Sequence, residues 1–253
     1  MVEPTDTTDN VDERQACAHE LAHWLMQARH LRIEASAQPQ RAARRQALRA
    51  FQAARLARTH ADLLDSERYR AAAEFFLSDL YGPKDLGARD AEIERVLPRM
   101  TNALPLAGLR ALQAAAELDA LSEQFDAAMV DALGARLDGV LADADYAAAY
   151  RQTGNPAGRQ RQIDLIDSVG QTLDSLARKP GLATLIKMMR KPAQLAGLGE
   201  LQSFLERGFS AFRSMRRADE FLALVVGRER ELARQLFDGA RELALPAAQP
   251  ALA

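Results

Sequence analysis

The sequence predicts an all-α protein, a multi-helix bundle of about eight to ten helices with no β-sheet. Aromatic residues make up only 6% of the 253 positions, while Ala, Leu, Arg and Gln are abundant, a composition that favours helix over sheet. Apolar residues recur at steps of three and four along most of the chain, the spacing of a helix that buries one face. No run of β-branched residues alternates with polar ones between turn signals, so no strand is expected. No internal repeat of fixed period occurs either, which argues against a solenoid.

Residues 1–9 carry Glu3, Asp6 and Asp9 among Thr and Pro with almost nothing to bury, and are expected to be a disordered acidic tail. Asn10 and Glu13 stand in capping-box spacing, so the first helix is expected from Asn10 to about Ser36, where AQPQ breaks it. A second helix, about 40–64, contains Ala43, Ala47, Ala50, Ala54, Ala57 and Ala61, spaced 4, 3, 4, 3, 4. This heptad seam of small residues predicts close approach of a neighbouring antiparallel helix, most simply the first or third. The third helix is expected over 66–80, stopped by Gly82 and Pro83. A short charged helix near 88–97 and a break at PRMTN follow. Pro105 then opens what the spacing makes the longest helix, 105–138, with Leu118, Leu121, Phe125, Ala128 and Ala132 as its core stripe. A helix over 142–152 ends at TGNPAG. Further helices are expected at 157–178, 181–190, 193–214 and 217–240, punctuated by KPG, KPA and GLG, and the last residues, 245–253, should fray. The organisation expected is one helical domain over 10–244, with a candidate subdomain boundary near 152–158.

Net charge is −2, which gives no global pull toward nucleic acid or anionic membrane. The single Cys17 cannot close an internal disulfide, and the acidic, polar N-terminus does not read as a secretory signal, so a cytoplasmic location is expected. The longest conspicuous apolar run, FLALVV at 221–226, falls well short of the roughly 18 residues that span a bilayer, so no membrane partner is expected.

AHELAHW sets His19, Glu20 and His23 in the H-E-x-x-H spacing of a zinc hydrolase helix, with Glu20 in the place of the base. At 100° per residue, however, Cys17, Leu21, Trp24, Leu25 and Ala28 share one side and His19, His23 and His30 the other. The histidines therefore face away from the expected core. A catalytic zinc needs a walled cleft and a third ligand, and His30 comes one residue too late for the longer metzincin pattern. Glu20 and His23 also form the E-x-x-H unit of four-helix di-metal proteins. The second unit that reading requires is absent, because Gln27 and Ala57 precede His30 and His60.

The second helix holds Arg41, Arg44, Arg45, Arg49, Arg55 and Arg58 with no acid between 41 and 58. Arg41, Arg44, Arg45 and Arg49 are a candidate anion patch, and the expected alternative is a solvated face beside the alanine seam, ion-paired to neighbouring helices. In YGPKDLGARD, Tyr81, Asp85, Arg89 and Asp90 are expected to form a structural clamp. Arg190, Glu206, Arg228 and Glu229 sit beside apolar stretches as paired structural ions or the lining of a polar pocket, pairing being favoured. No glycine-rich phosphate loop, serine elbow or cysteine nucleophile with a positioned His is present. GLG at 197–199 is a helix break, and Cys17 a small core residue.

FFLSDLYGPKD with the following RD, then PAQLAGLGELQSFLERGF and a later RE, resemble an uncharacterised family of proteobacterial all-helical proteins over about residues 45–238. The resemblance implies no activity, substrate or cofactor and does not include the HELAH segment. The reading is therefore a non-catalytic helical protein that binds a protein partner or a small ligand, without a cofactor. Its alternatives are a zinc or di-metal enzyme built on His19, Glu20 and His23, and binding of nucleic acid or an anionic surface through the arginine helix. Oligomeric state is open.

Overall fold

The computed structural model describes residues 5–80, 92, 93, 95, 96 and 106–243. Among these the chain is helical, with α1 (Thr5–Ser36), α2 (Pro39–Thr59), α3 (Ala61–Asp65) and α4 (Arg70–Phe75), which runs into a π turn at Phe76–Leu80. Then come α5 (Leu106–Leu133), a 3-10 turn at Gly134–Asp138, α6 (Asp143–Thr153) and α7 (Pro156–Ala177). Two short helices, α8 (Leu182–Met188) and α9 (Arg190–Leu195), lead to α10 (Gly199–Ser214) and α11 (Asp219–Phe237). No strand occurs among the described residues, and the all-helical bundle is as the composition predicts.

α5 is the axis. It lies along α1, and α2, α6 and α7 also pack on it, while α7 packs in turn on α10 and α11. One apolar cluster joins α3, α4, α7, α10 and α11 through Phe76, Ile166, Phe212 and Phe221, and a second joins α2, α5, α6 and α11 through Leu48, Met129, Leu133, Tyr146 and Leu236. A third, around Leu21 and Leu109, seats α1 on α5. α11 runs through the first two clusters, and Ala233 packs on both.

Several boundaries differ from expectation: the KPA break falls inside α9 (Arg190–Leu195), and the helix expected over 193–214 is divided between α9 and α10. α1 begins at Thr5 rather than Asn10, so the part of the expected tail from Thr5 onward is helical. α1, with 32 residues, is also longer than α5, with 28, because α5 tightens into the 3-10 turn at Gly134, a residue with φ +53. The second helix stops at Thr59 and restarts as α3, and the expected 66–80 helix starts later and ends as a π turn. The expected stop at Gly82 and the C-terminal fray lie outside the described residues, as does most of the 88–97 helix.

The TGNPAG break is a tight corner. Only Gly154 and Asn155 separate α6 from α7. Asn155 adopts a left-handed conformation, and its Oδ1 accepts from the Gly158 amide at 2.9 Å, with Pro156 supplying the first helical turn. Just before this corner, in the last turn of α6, Arg151 donates to the carbonyls of Leu236 (3.1 Å) and Ala240 (2.7 Å), capping the C-terminus of α11.

The alanine seam is the main correction. Ala43, Ala50, Ala54 and Ala61 are exposed, and α2 turns Leu48, Arg55, Leu56 and Thr59 inward instead. The face with arginines wins because α5 offers it matching carboxylates and because long arginine stems cover more apolar surface than alanine methyls.

Two segments quoted above for their resemblance meet in space. Phe75 of FFLSDLYGPKD sits on Gly208 of FLERGF, where an added Cβ would come 2.8 Å from the ring tip and 3.3 Å from both adjacent ring carbons. Phe75 is buried in the first cluster, so the ring cannot withdraw. Gly208→Ala is expected to destabilise by about 1–3 kcal/mol, read as a lower urea midpoint at unchanged m-value. An unchanged midpoint would show that the α4–α10 contact is looser than described.

Candidate functional site

The HELAH segment sits on the outer side of α1. His19, Glu20, His23 and His30 are exposed, while Cys17, Leu21 and Ala28 are buried against α5. Glu20 accepts from the Gln113 side chain, which also accepts from the Cys17 thiol at 3.1 Å. His23 meets Trp24 edge-on at 5.1 Å, and His30 lies 3.2 Å from Glu34. No group of three residues able to hold a metal ion occurs among the described residues.

The arginine face of α2 is a seam of ion pairs to α5 and the turn after it, buried around Glu123 and Asp126 and exposed at Asp131 and Asp138, the partners of Arg41 and Arg44. Glu123 of α5 is 2% exposed. It accepts from Arg32 (2.9 Å), Arg49 (2.6 Å) and Arg45, while Arg49 also reaches Asp126 (2.9 Å) and Arg32 reaches Asp119 (2.5 Å). Burial alone would raise the Glu123 carboxyl, but the guanidiniums of Arg49, Arg32 and Arg45 outweigh it and hold the group below its ordinary range. Further along, Arg41 pairs with Asp131 (3.0 Å), and Arg44 grips Asp138 through Nε (2.8 Å) and Nη2 (2.7 Å). The four candidate anion-patch arginines are therefore all engaged by the chain's own carboxylates.

Tyr81, Asp85, Arg89 and Asp90 lie outside the described residues. The other four members of the candidate polar cluster form separate pairs. Arg190 donates through Nε (3.0 Å) and Nη2 (2.5 Å) to Glu206, tying α9 to α10. Arg228 donates to both oxygens of Asp62 at 2.7 Å, tying α11 to α3. Glu229 accepts from Arg55 Nη1 at 2.5 and 2.7 Å and lies 3.2 Å from His60 Nε2.

That last set borders a cavity of about 30 Å³ whose walls include Leu56, Leu63, Phe76, Ile166, Phe221 and Val225, with His60 and Glu229 its polar members. His60 is 5% exposed, and its Nδ1 has no partner. A space this size suits a water-sized guest. Arg55 and His60 escape sequence reasoning because no local spacing ties the end of one helix to a carboxylate 169 positions later.

The accessible chemistry lies elsewhere, on α8 and α9. α8 has no buried residue, although its sequence is LATLIKM. Leu185 (54% exposed), Met188 (70%), Met189 (46%) and Leu195 (90%) face solvent, and Leu205 of α10 is exposed as well. The interval 175–199 contains no acid but includes three of the chain's four lysines, Lys179, Lys187 and Lys191. All three are exposed and make no ion pair within 4 Å among the described residues. The signal for this face was present in the sequence as an acid-free run with Met188 and Met189 adjacent.

Neither a curated protein nor a solved structure matches the chain. A family model described as a domain of unknown function, DUF8198, matches residues 31–243. That span leaves out the HELAH segment and takes in the arginine seam, the His60–Glu229 set and the α8–α9 face, and on this match the chain belongs to the DUF8198 family.

Proposed function

We propose that the protein is a non-catalytic helical docking module, a single domain working in a reducing compartment, which binds an acidic amphipathic helix of a partner protein across α8 and α9. The observation that carries this reading is the exposure of Leu185, Met188, Met189 and Leu195 beside three lysines that make no ion pair within 4 Å among the described residues. A cluster of large apolar side chains in water with a charged rim is the usual form of an interaction surface. Methionines adapt their shape to different apolar partners, and an amphipathic helix lays its i, i+3, i+4 and i+7 residues into such a surface. The rim is basic, so the complementary partner carries Asp or Glu beside its apolar stripe. A lipid surface fits less well. Basic segments that recognise anionic lipids carry roughly four to eight cations, whereas Arg178 and Arg190 are held by Asp174 and Glu206 and the whole chain is acidic.

The test uses a synthetic amphipathic helix with leucines on one face and flanking glutamates, followed by fluorescence anisotropy. Saturable binding is expected, weakened about tenfold or more both by Met188→Ser with Leu195→Ser and by Lys187→Glu with Lys191→Glu. These positions are exposed, so the fold should be retained, which circular dichroism checks. No binding, binding indifferent to both variants, or a preference for phosphatidylserine vesicles over the peptide would each defeat the proposal.

A further inference from the structure

Arg159 stands apart from the other arginines described above. It lies in the first turn of α7, is 6% exposed, and has its guanidinium carbon 3.9 Å from the centre of the Phe125 ring and 4.4 Å from that of Tyr150. Among the described residues it makes no ion pair, and its Nε and Nη2 are sealed from solvent without a hydrogen-bond partner. A guanidinium does not lose its proton in a protein, so this is a fixed buried charge. Stacking on aromatic rings offsets only part of the cost of removing it from water.

The two empty donors are the side-on fork of the guanidinium. Elsewhere in this molecule that edge is filled by oxygens, a pair of backbone carbonyls at Arg68 and Arg70 and a carboxylate at several others. Arg44 presents it to Asp138 at 2.8 and 2.7 Å, Arg161 to Glu117 at 2.7 and 2.6 Å, and Arg234 to Glu231 at 2.9 and 2.6 Å. With Phe125 and Tyr150 on the guanidinium, a partner must approach in its plane. A planar group with two oxygens does this and satisfies both donors at once. Tyr150 is kept a neutral phenol, its hydroxyl pushed up to about 12 first by burial and held back by Arg159, so it adds no competing negative charge.

We infer that the Nε/Nη2 edge of Arg159, framed by Phe125 and Tyr150, is a binding site for the carboxylate of an organic acid, separate from the α8–α9 face and independent of what docks there. Two sources share this chemistry, a free small carboxylate and a carboxylate borne by a partner polypeptide.

The experiment follows the full chain with the acid itself. Thermal unfolding is measured in sodium acetate and sodium benzoate against sodium chloride at equal ionic strength, together with the 15N–1H signal of Arg159 Nε. A carboxylate-specific rise in midpoint is expected, with a downfield shift of that signal saturating over the same range. Arg159→Met is expected to lose the carboxylate response. Arg159→Lys, which keeps the charge but lacks the fork, should weaken it about tenfold or more and serves should the Met variant not fold. A response to a carboxyl-terminal peptide but to neither small acid assigns the second source and still supports the site. An Arg159 signal unmoved by acetate, benzoate and peptide, or moved equally by sulfate, overturns it.

Discussion

Glu123→Ala will cost about 3–5 kcal/mol of folding stability, the range for removing one partner from a buried ionic network. Glu123 is 2% exposed and is shared by Arg32, Arg45 and Arg49 from α1 and α2. Without it, three guanidiniums converge on a place where, among the described residues, Asp119 and Asp126 remain to balance them. Since a domain of this kind is held by roughly 5–15 kcal/mol in all, the loss should be evident as a fall in the urea midpoint with little change in slope. Arg44→Ala is the internal control. Its partner Asp138 is 46% exposed, and a surface pair contributes only about 0–1 kcal/mol. Equal, small costs for the two variants would show that the seam is wetter than its geometry implies.

Glu229→Gln gives the second large effect, and its signature is in acid. Burial would raise the Glu229 carboxyl, but Arg55 and the hydrogen bond with His60 hold it down at about 2, against an ordinary 4.5. A group depressed on folding contributes stability that is complete above its unfolded value and is lost as pH falls toward its folded one. Glu229 should therefore stabilise the protein fully above pH 4.5 and progressively less between pH 4.5 and 2. At about 1.4 kcal/mol per pH unit, the span amounts to on the order of 3 kcal/mol. Guanidine midpoints of the wild type measured from pH 6 down to about pH 2 should fall steeply across that window, and Glu229→Gln should begin lower and flatten that part of the profile. Parallel profiles for the two proteins would rule out Glu229 as the titrating group.

The fold class and most helices were legible because helical composition, proline and glycine breaks and apolar steps all act locally. Asn155, Gly181 and Gly197 take positive φ at breaks that the sequence marks. The orientation of α1 was legible for the same reason, since His19 and His23 face opposite Leu21 and Cys17 on one continuous helix. Facing of α2 was not. Alanine and arginine both recur there at helical spacing, and the choice between them depends on Glu123 and Asp126, more than 70 residues away. The candidate sites divide in the same way. That Arg190, Glu206, Arg228 and Glu229 would be paired follows from their apolar neighbours in sequence, but the partners Asp62 and Arg55 do not, and the isolation of Arg159 shows only once Phe125 and Tyr150 have closed on it.

The outward row of Ala43, Ala50 and Ala54 on α2 has a practical meaning. Exposed side chains of one carbon set little constraint on what replaces them, so this strip of α2 is where fluorophores, spin labels or a single introduced thiol can be attached while the guanidiniums that face α5 keep the helix in place. Attached there, a reporter would view the docking of a partner from a fixed platform.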